Sequence, residues 1–154
     1  MVKLSFLIVA ALVGSCSHVM AEVRGDAAIM PGTMASRLLA QCSRQSPERG
    51  EDTWTPEWAD IEALEANLAA ALMASEEAGT FTDRQPPEGW ARQYVGLIRN
   101  GRRFIYGNFL PKGVLQGRSP AELVIVCDGG PAMFGVEYDV DAGRFSHVAF
   151  NGRA

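Results

Sequence analysis

The sequence predicts an α+β protein, with one or two N-terminal helices packed on a five-stranded antiparallel sheet made of two hairpins plus a central strand, and one disulfide. Three observations predict it. Helical periodicity is confined to the first half of the chain. Strand-like runs, each bounded by turn residues, fill the second half. Two cysteines remain once the N-terminal segment is set aside.

Residues 1–21 read as a signal peptide. Met1-Val2-Lys3 is a short positive start, and Leu4 to Val13 is an apolar run with one serine. The run is too short to span a bilayer, which takes roughly 20 apolar residues. Val19-Met20-Ala21 suits cleavage after Ala21. Alternatively, Val13-Gly14-Ser15-Cys16 is a bacterial lipobox, and the signal then ends before Cys16, whose sulfur carries the lipid. The expected location is periplasmic or secreted, or alternatively that of a membrane-anchored lipoprotein. A lipid changes the address and not the fold. Residues 22–33 show no apolar period and read as a flexible leader, and 34–154 as a single α+β domain.

Met34, Leu38, Leu39 and Cys42 fall on one side at helical spacing, which predicts a short helix over 34–43, followed by a polar loop to Asp52. A longer helix follows. Thr55 is its expected N-cap, Pro56 its first position, and Glu57 and Asp60 favour the positive end. Trp58, Ile61, Leu64, Leu68 and Leu72 form its core-facing stripe, and Gly79 its stop. Pro86-Pro87-Glu88-Gly89 breaks the chain. Asn100-Gly101 then joins the strands 93–98 and 103–109 into a hairpin that sets Leu97 opposite Phe104, Gly96 opposite Ile105 and Val95 opposite Tyr106. Residues 111–120 are a connection. Glu122 to Cys127 is nearly all apolar and reads as the buried central strand. A second hairpin, 133–140 with 144–150, sets Val140 opposite Arg144, Tyr138 opposite Ser146, Val136 opposite Val148 and Phe134 opposite Phe150. Its other, polar face then carries Glu137 with His147, and Asp139.

Of the 3 cysteines, Cys16 is lost or lipidated by either processing route. Cys42 and Cys127 are expected to pair, because two cysteines in an exported chain usually do. The long loop so closed stabilises by roughly 4 kcal/mol. The formal net charge of −4 argues against a general nucleic-acid binder.

Few residues carry chemistry. His147 is the one histidine outside the signal segment, and with Glu137 and Asp139 it is the only candidate for a small hydrolase site. Asp128 added to these gives oxygen and imidazole ligands, but in no known metal spacing, so neither metal nor cofactor is expected. Gly113 to Ser119 fails as a phosphate loop: Arg118 replaces the lysine, and Pro120 stands where a helix should begin. Arg24-Gly25-Asp26 matches an adhesion tripeptide by letters only.

Charge is unevenly laid out. Residues 46–78 are acidic, with Arg49 the one base. Residues 84–118 hold Arg84, Arg92, Arg99, Arg102, Arg103, Lys112 and Arg118 against Glu88. Arg99, Arg102, Arg103, Lys112 and Arg118 are therefore the expected contacts to an envelope protein or an anionic envelope component. The function expected is that of a small non-enzymatic binding or inhibitory module, with a lipoprotein accessory subunit of an envelope complex as the alternative.

Overall fold

The computed structural model describes residues 20–81 and 85–152. The signal segment up to residue 19, with the candidate lipidation site Cys16, lies outside them, as does Arg84.

The sheet has seven strands, not five, and is mixed rather than antiparallel. Strands β1 (Glu22–Arg24), β2 (Ala27–Ile29), β4 (Trp90–Arg99), β5 (Arg102–Pro111), β6 (Phe134–Asp139) and β7 (Arg144–Phe150) run in the order β1-β2-β4-β5-β6-β7, and β3 (Asp52–Trp54) also pairs with β4. All pairs are antiparallel except β2 with β4, where Ala28 stands beside Gln93. The expected fold is corrected in two places. Three strands come from stretches too short or too polar to show a period. The expected central strand, Glu122 to Cys127, is not a strand at all.

The two hairpins explain what a local pattern can specify. In β4–β5, Val95, Gly96 and Leu97 face Tyr106, Ile105 and Phe104, the register set by the Asn100-Gly101 turn. Both turn residues have positive φ, at 51° and 71°, the conformation that this turn type requires. In β6–β7, Phe134 faces Phe150, Val136 faces Val148 and Glu137 faces His147. A bulge between Glu137 and Tyr138 then shifts the pairing, so that Tyr138 meets Phe145 and Asp139 meets Arg144. Ser146 is the extra residue.

Helix α1 (Ala35–Leu39) is shorter than its sequence stripe. Helix α2 (Trp58–Met73) starts later than Thr55 and stops before Gly79, because its start is fixed by Asp60, whose carboxylate accepts the Glu57 N–H at 2.8 Å. Its stripe Ile61, Leu64, Leu68 and Leu72 is buried on one face of the sheet, against Tyr94, Ile105, Phe109, Phe134, Val136 and Tyr138. The other face packs Val95, Leu97, Phe104 and Tyr106 under Ala28, Met30, Leu38 and Leu39. Leu115, Val124 and Met133 cover Ala91 and Leu110 at its far end.

A polar core beneath this second face explains why the apolar run 122–127 forms no strand. Every second carbonyl of the segment accepts from a side-chain amide rather than from a neighbouring strand. Gln93 Nε2 donates to the Pro120 and Glu122 carbonyls at 2.8 and 2.7 Å, Asn108 Nδ2 to that of Val124 at 3.4 Å, and Asn151 Nδ2 to that of Val126 at 2.8 Å. Alternate carbonyls of the segment are thus satisfied without a ladder. Arg44 ties the amides together. It is 8% exposed and donates to Asn151 Oδ1 at 2.6 Å, to the Tyr106 hydroxyl at 3.1 Å and to Asn108 Oδ1. Among the described residues none of its partners is an acid. Cys42 and Cys127 are bonded across a sequence separation of 85, at the ends of the two segments that Arg44 and the amides hold, and both are exposed.

Candidate functional site

The arginines at the tip of the β4–β5 hairpin are matched by acids of the β6–β7 hairpin. Arg99 lies over the Phe104 ring at 4.1 Å and reaches Glu137 with both terminal nitrogens, at 2.6 and 2.5 Å. Ser146 Oγ adds a third bond to that carboxylate at 2.7 Å. The hydrogen bond to Glu137 raises the Arg99 pKa above its usual value, against the opposing pull of burial. Arg102 pairs with Asp139, whose other oxygen accepts the Ala142 N–H at 3.0 Å. Arg103 stands over Trp54 and pairs with Asp141 at 3.2 Å. The Arg103 backbone N–H and then its guanidinium hold Asp141 below the usual carboxylate range. The expected basic tip is therefore charge-matched within the fold.

The residues considered for hydrolysis fare similarly. Glu137 and Asp139 do not lie on an open polar face; they are 2% and 3% exposed. His147 sits across from Glu137 in register, but its Nε2 lies 3.1 Å from the Gln45 carbonyl, while the acid is taken by Arg99. Asp128 is an exposed residue at φ 58° in the turn beyond the disulfide. Among the described residues, no three of His, Cys, Asp and Glu come together as metal ligands. Among them too, no helix is long and apolar enough to cross a membrane.

Lys112 and Arg118 flank a different feature. The connection after β5 opens with a single 3-10 turn, Lys112–Leu115, whose Leu115 is buried. Gln116 and Gly117 follow with φ of 50° and 83°. Arg118 closes the loop on itself, its Nε donating to the Leu115 carbonyl at 3.1 Å and its Nη2 to that of Val114 at 3.3 Å. At the base, Lys112 pairs with Asp26, so the tripeptide acid is engaged internally. The loop is exposed from Gln116 to Ser119, yet fixed at both ends.

Between the β1–β2 hairpin and α2 lies a cleft that no sequence pattern announces. Its volume is about 240 Å³, and it is lined by Arg24, Gly25, Ala27, Trp58, Ile61, Glu62, Glu65 and Arg92. On its inner side the buried Tyr94 hydroxyl donates to Glu65 Oε1 at 2.6 Å, and Arg92 pairs with the same oxygen at 3.1 Å. Burial first, and then the Glu65 charge and hydrogen bond, push the Tyr94 pKa well up. Among the described residues, the buried Arg92 Nε has no partner. At the rim Arg24 lies over the Trp58 ring at 4.5 Å and 3.5 Å from Glu62. These residues meet only because β2 runs parallel to β4, a pairing that no local pattern announces.

The chain matches no protein-family model, no curated protein and no solved structure.

Proposed function

We propose that the protein is an exported, non-enzymatic binding module that presents the loop Lys112 to Ser119 to an acidic face of an envelope protein. The observation that carries this reading is the loop's construction. It is exposed at Gln116–Ser119 but pre-shaped by the buried Leu115, by the left-handed Gln116 and Gly117, and by the bonds of Arg118 to its own backbone. A loop ordered before binding does not pay its ordering entropy at the interface. The disulfide is compatible with an extracytoplasmic location, which agrees with the export reading of residues 1–21.

The reading is tested with a photo-crosslinking residue placed at Gln116, and a control at Ala66 on the exposed side of α2, in cells producing the full chain. One discrete adduct from position 116, lost when Arg118→Glu is added, is expected. Equal adducts from both positions, or none from 116, overturn it. Mass spectrometry of the recovered N-terminus separates a free module beginning at Glu22 from an accessory subunit tethered at a lipidated Cys16. The hydrolase reading draws no support from Glu137 and Asp139, whose oxygens are engaged by Arg99, Ser146, Arg102 and the Ala142 N–H.

A further inference from the structure

We propose that the cleft between the β1–β2 hairpin and α2 binds a small zwitterionic α-amino acid. This rests on different atoms from the loop reading and stands or falls apart from it. The cleft's volume of about 240 Å³ is below the roughly 300–1,000 Å³ of pockets for drug-sized ligands, so its occupant is a small solute. Its polar groups are of both signs and are only half used. Arg92 spends its terminal nitrogen on Glu65 Oε1 and keeps a buried Nε–H without an acceptor. Glu65 receives both Tyr94 and Arg92 on Oε1, and among the described residues Oε2 has no partner. A buried donor left unpaired is costly, and a ligand carboxylate repairs it. The partly exposed Glu65 carboxylate beside it offers an ammonium group a charge-assisted partner.

The unpaired donor and the carboxylate belong to one ion pair, Arg92 with Glu65 at 3.1 Å, so a small molecule carrying both charges a few ångströms apart, as an amino acid does, matches them together. Arg24 at the rim adds to the carboxylate end and Glu62 to the ammonium end. Trp58 and Ile61 leave an apolar wall for a short side chain. An anion alone leaves Glu65 Oε2 without a partner, and a cation alone leaves the Arg92 Nε–H without one. The Tyr94 hydroxyl fixes Glu65 from below, and no proton need move on binding.

The test uses the full mature protein and two-dimensional NMR, following the Trp58 indole N–H and the Arg92 Nε–H during titration with L-alanine. Saturable shifts of both resonances are expected, with Kd on the order of 1 mM. N-acetylalanine, which lacks the ammonium, and alaninamide, which lacks the carboxylate, should each bind about tenfold more weakly, the scale of one lost charge-assisted hydrogen bond. Arg24→Gln, an exposed change that leaves the floor of the cleft intact, should weaken alanine and N-acetylalanine while leaving alaninamide unchanged. Equal responses to all three compounds overturn the proposal. So does the absence of any shift at the two resonances with alanine at roughly a hundred times the expected Kd.

Discussion

Replacing Arg44 by alanine tests whether the buried amide network, rather than the apolar run itself, holds residues 120–127 on the sheet. Arg44 makes three hydrogen bonds to neutral oxygens, on Asn151, Tyr106 and Asn108. Hydrogen bonds from a charged donor are worth about 1.5–3 kcal/mol each, and their loss leaves buried acceptors unpaired. Against this, removing the guanidinium returns the several kcal/mol spent on desolvating a charge that has no acidic partner. The balance is a net loss of about 3 kcal/mol in Arg44→Ala. With a urea m-value of about 2 kcal/mol/M, the midpoint falls by roughly 1.5 M at unchanged slope. The assay is urea unfolding of the oxidised protein, followed by tryptophan fluorescence, with the exposed Arg49→Ala as control and expected within about 0.5 kcal/mol of the parent. A loss below about 1 kcal/mol in Arg44→Ala, indistinguishable from an ordinary surface change, refutes the argument.

Other outcomes follow from the same structure. Gly135→Ala should cost about 1–3 kcal/mol in the same unfolding assay, since a Cβ there falls 2.6 Å from the Tyr106 hydroxyl and 2.9 Å from Arg44 Nε. Both cysteines are exposed, so a small dithiol should reduce the bridge without denaturant, and the reduced protein should be roughly 4 kcal/mol less stable; thiol labelling and urea unfolding measure the two halves of this. Tyr94 is held protonated in the fold while the unfolded chain ionises near pH 10, so stability should fall as pH rises above that value, by up to about 1.4 kcal/mol per unit for this group. Tyr94→Phe should remove that part of the slope, and an identical slope in the variant refutes the assignment.

How much of this was legible in the sequence depends on the range of the interactions. The β4–β5 register follows from two adjacent residues, Asn100 and Gly101, and the α2 stripe from spacings of three and four; such signals are complete within the segment that carries them. The β6–β7 register follows as far as Glu137 and fails at Tyr138, because a bulge inserts Ser146 without any change in the apolar pattern. Strands β2 and β3 are three residues each and exist because β4 is beside them, so neither Ala27-Ala28-Ile29 nor Asp52-Thr53-Trp54 has a period to read. Leu123 to Val126 misleads for the opposite reason. Its composition is that of a strand, while the Val124 and Val126 carbonyls are bonded by Asn108 and Asn151, and the Glu122 carbonyl just before them by Gln93, residues that look like ordinary polar positions. The disulfide is legible from compartment chemistry alone, whereas the cleft at Glu65 and Arg92 depends on the parallel docking of β2 and is invisible until the chain is folded.

The edge of β4 is covered by two separate pieces of chain laid end to end, β2 beside Arg92 to Tyr94 and β3 beside Gly96 to Ile98. Synthesis delivers these pieces in the awkward order. Both are made, and on the export reading both also leave the cytoplasm, before the strand that templates them. The meander β4 to β7 pairs only sequence neighbours, its longest connection being that from Pro111 to Phe134, whereas β2 and β3 must close longer loops to reach β4. During that interval Ala28, Ile29 and Met30, all buried in the finished protein, are open to water and to other chains. The N-terminal third is thus the last part to be secured and the first at risk. A factor that holds the emerging chain would find there the apolar residues that the finished sheet buries.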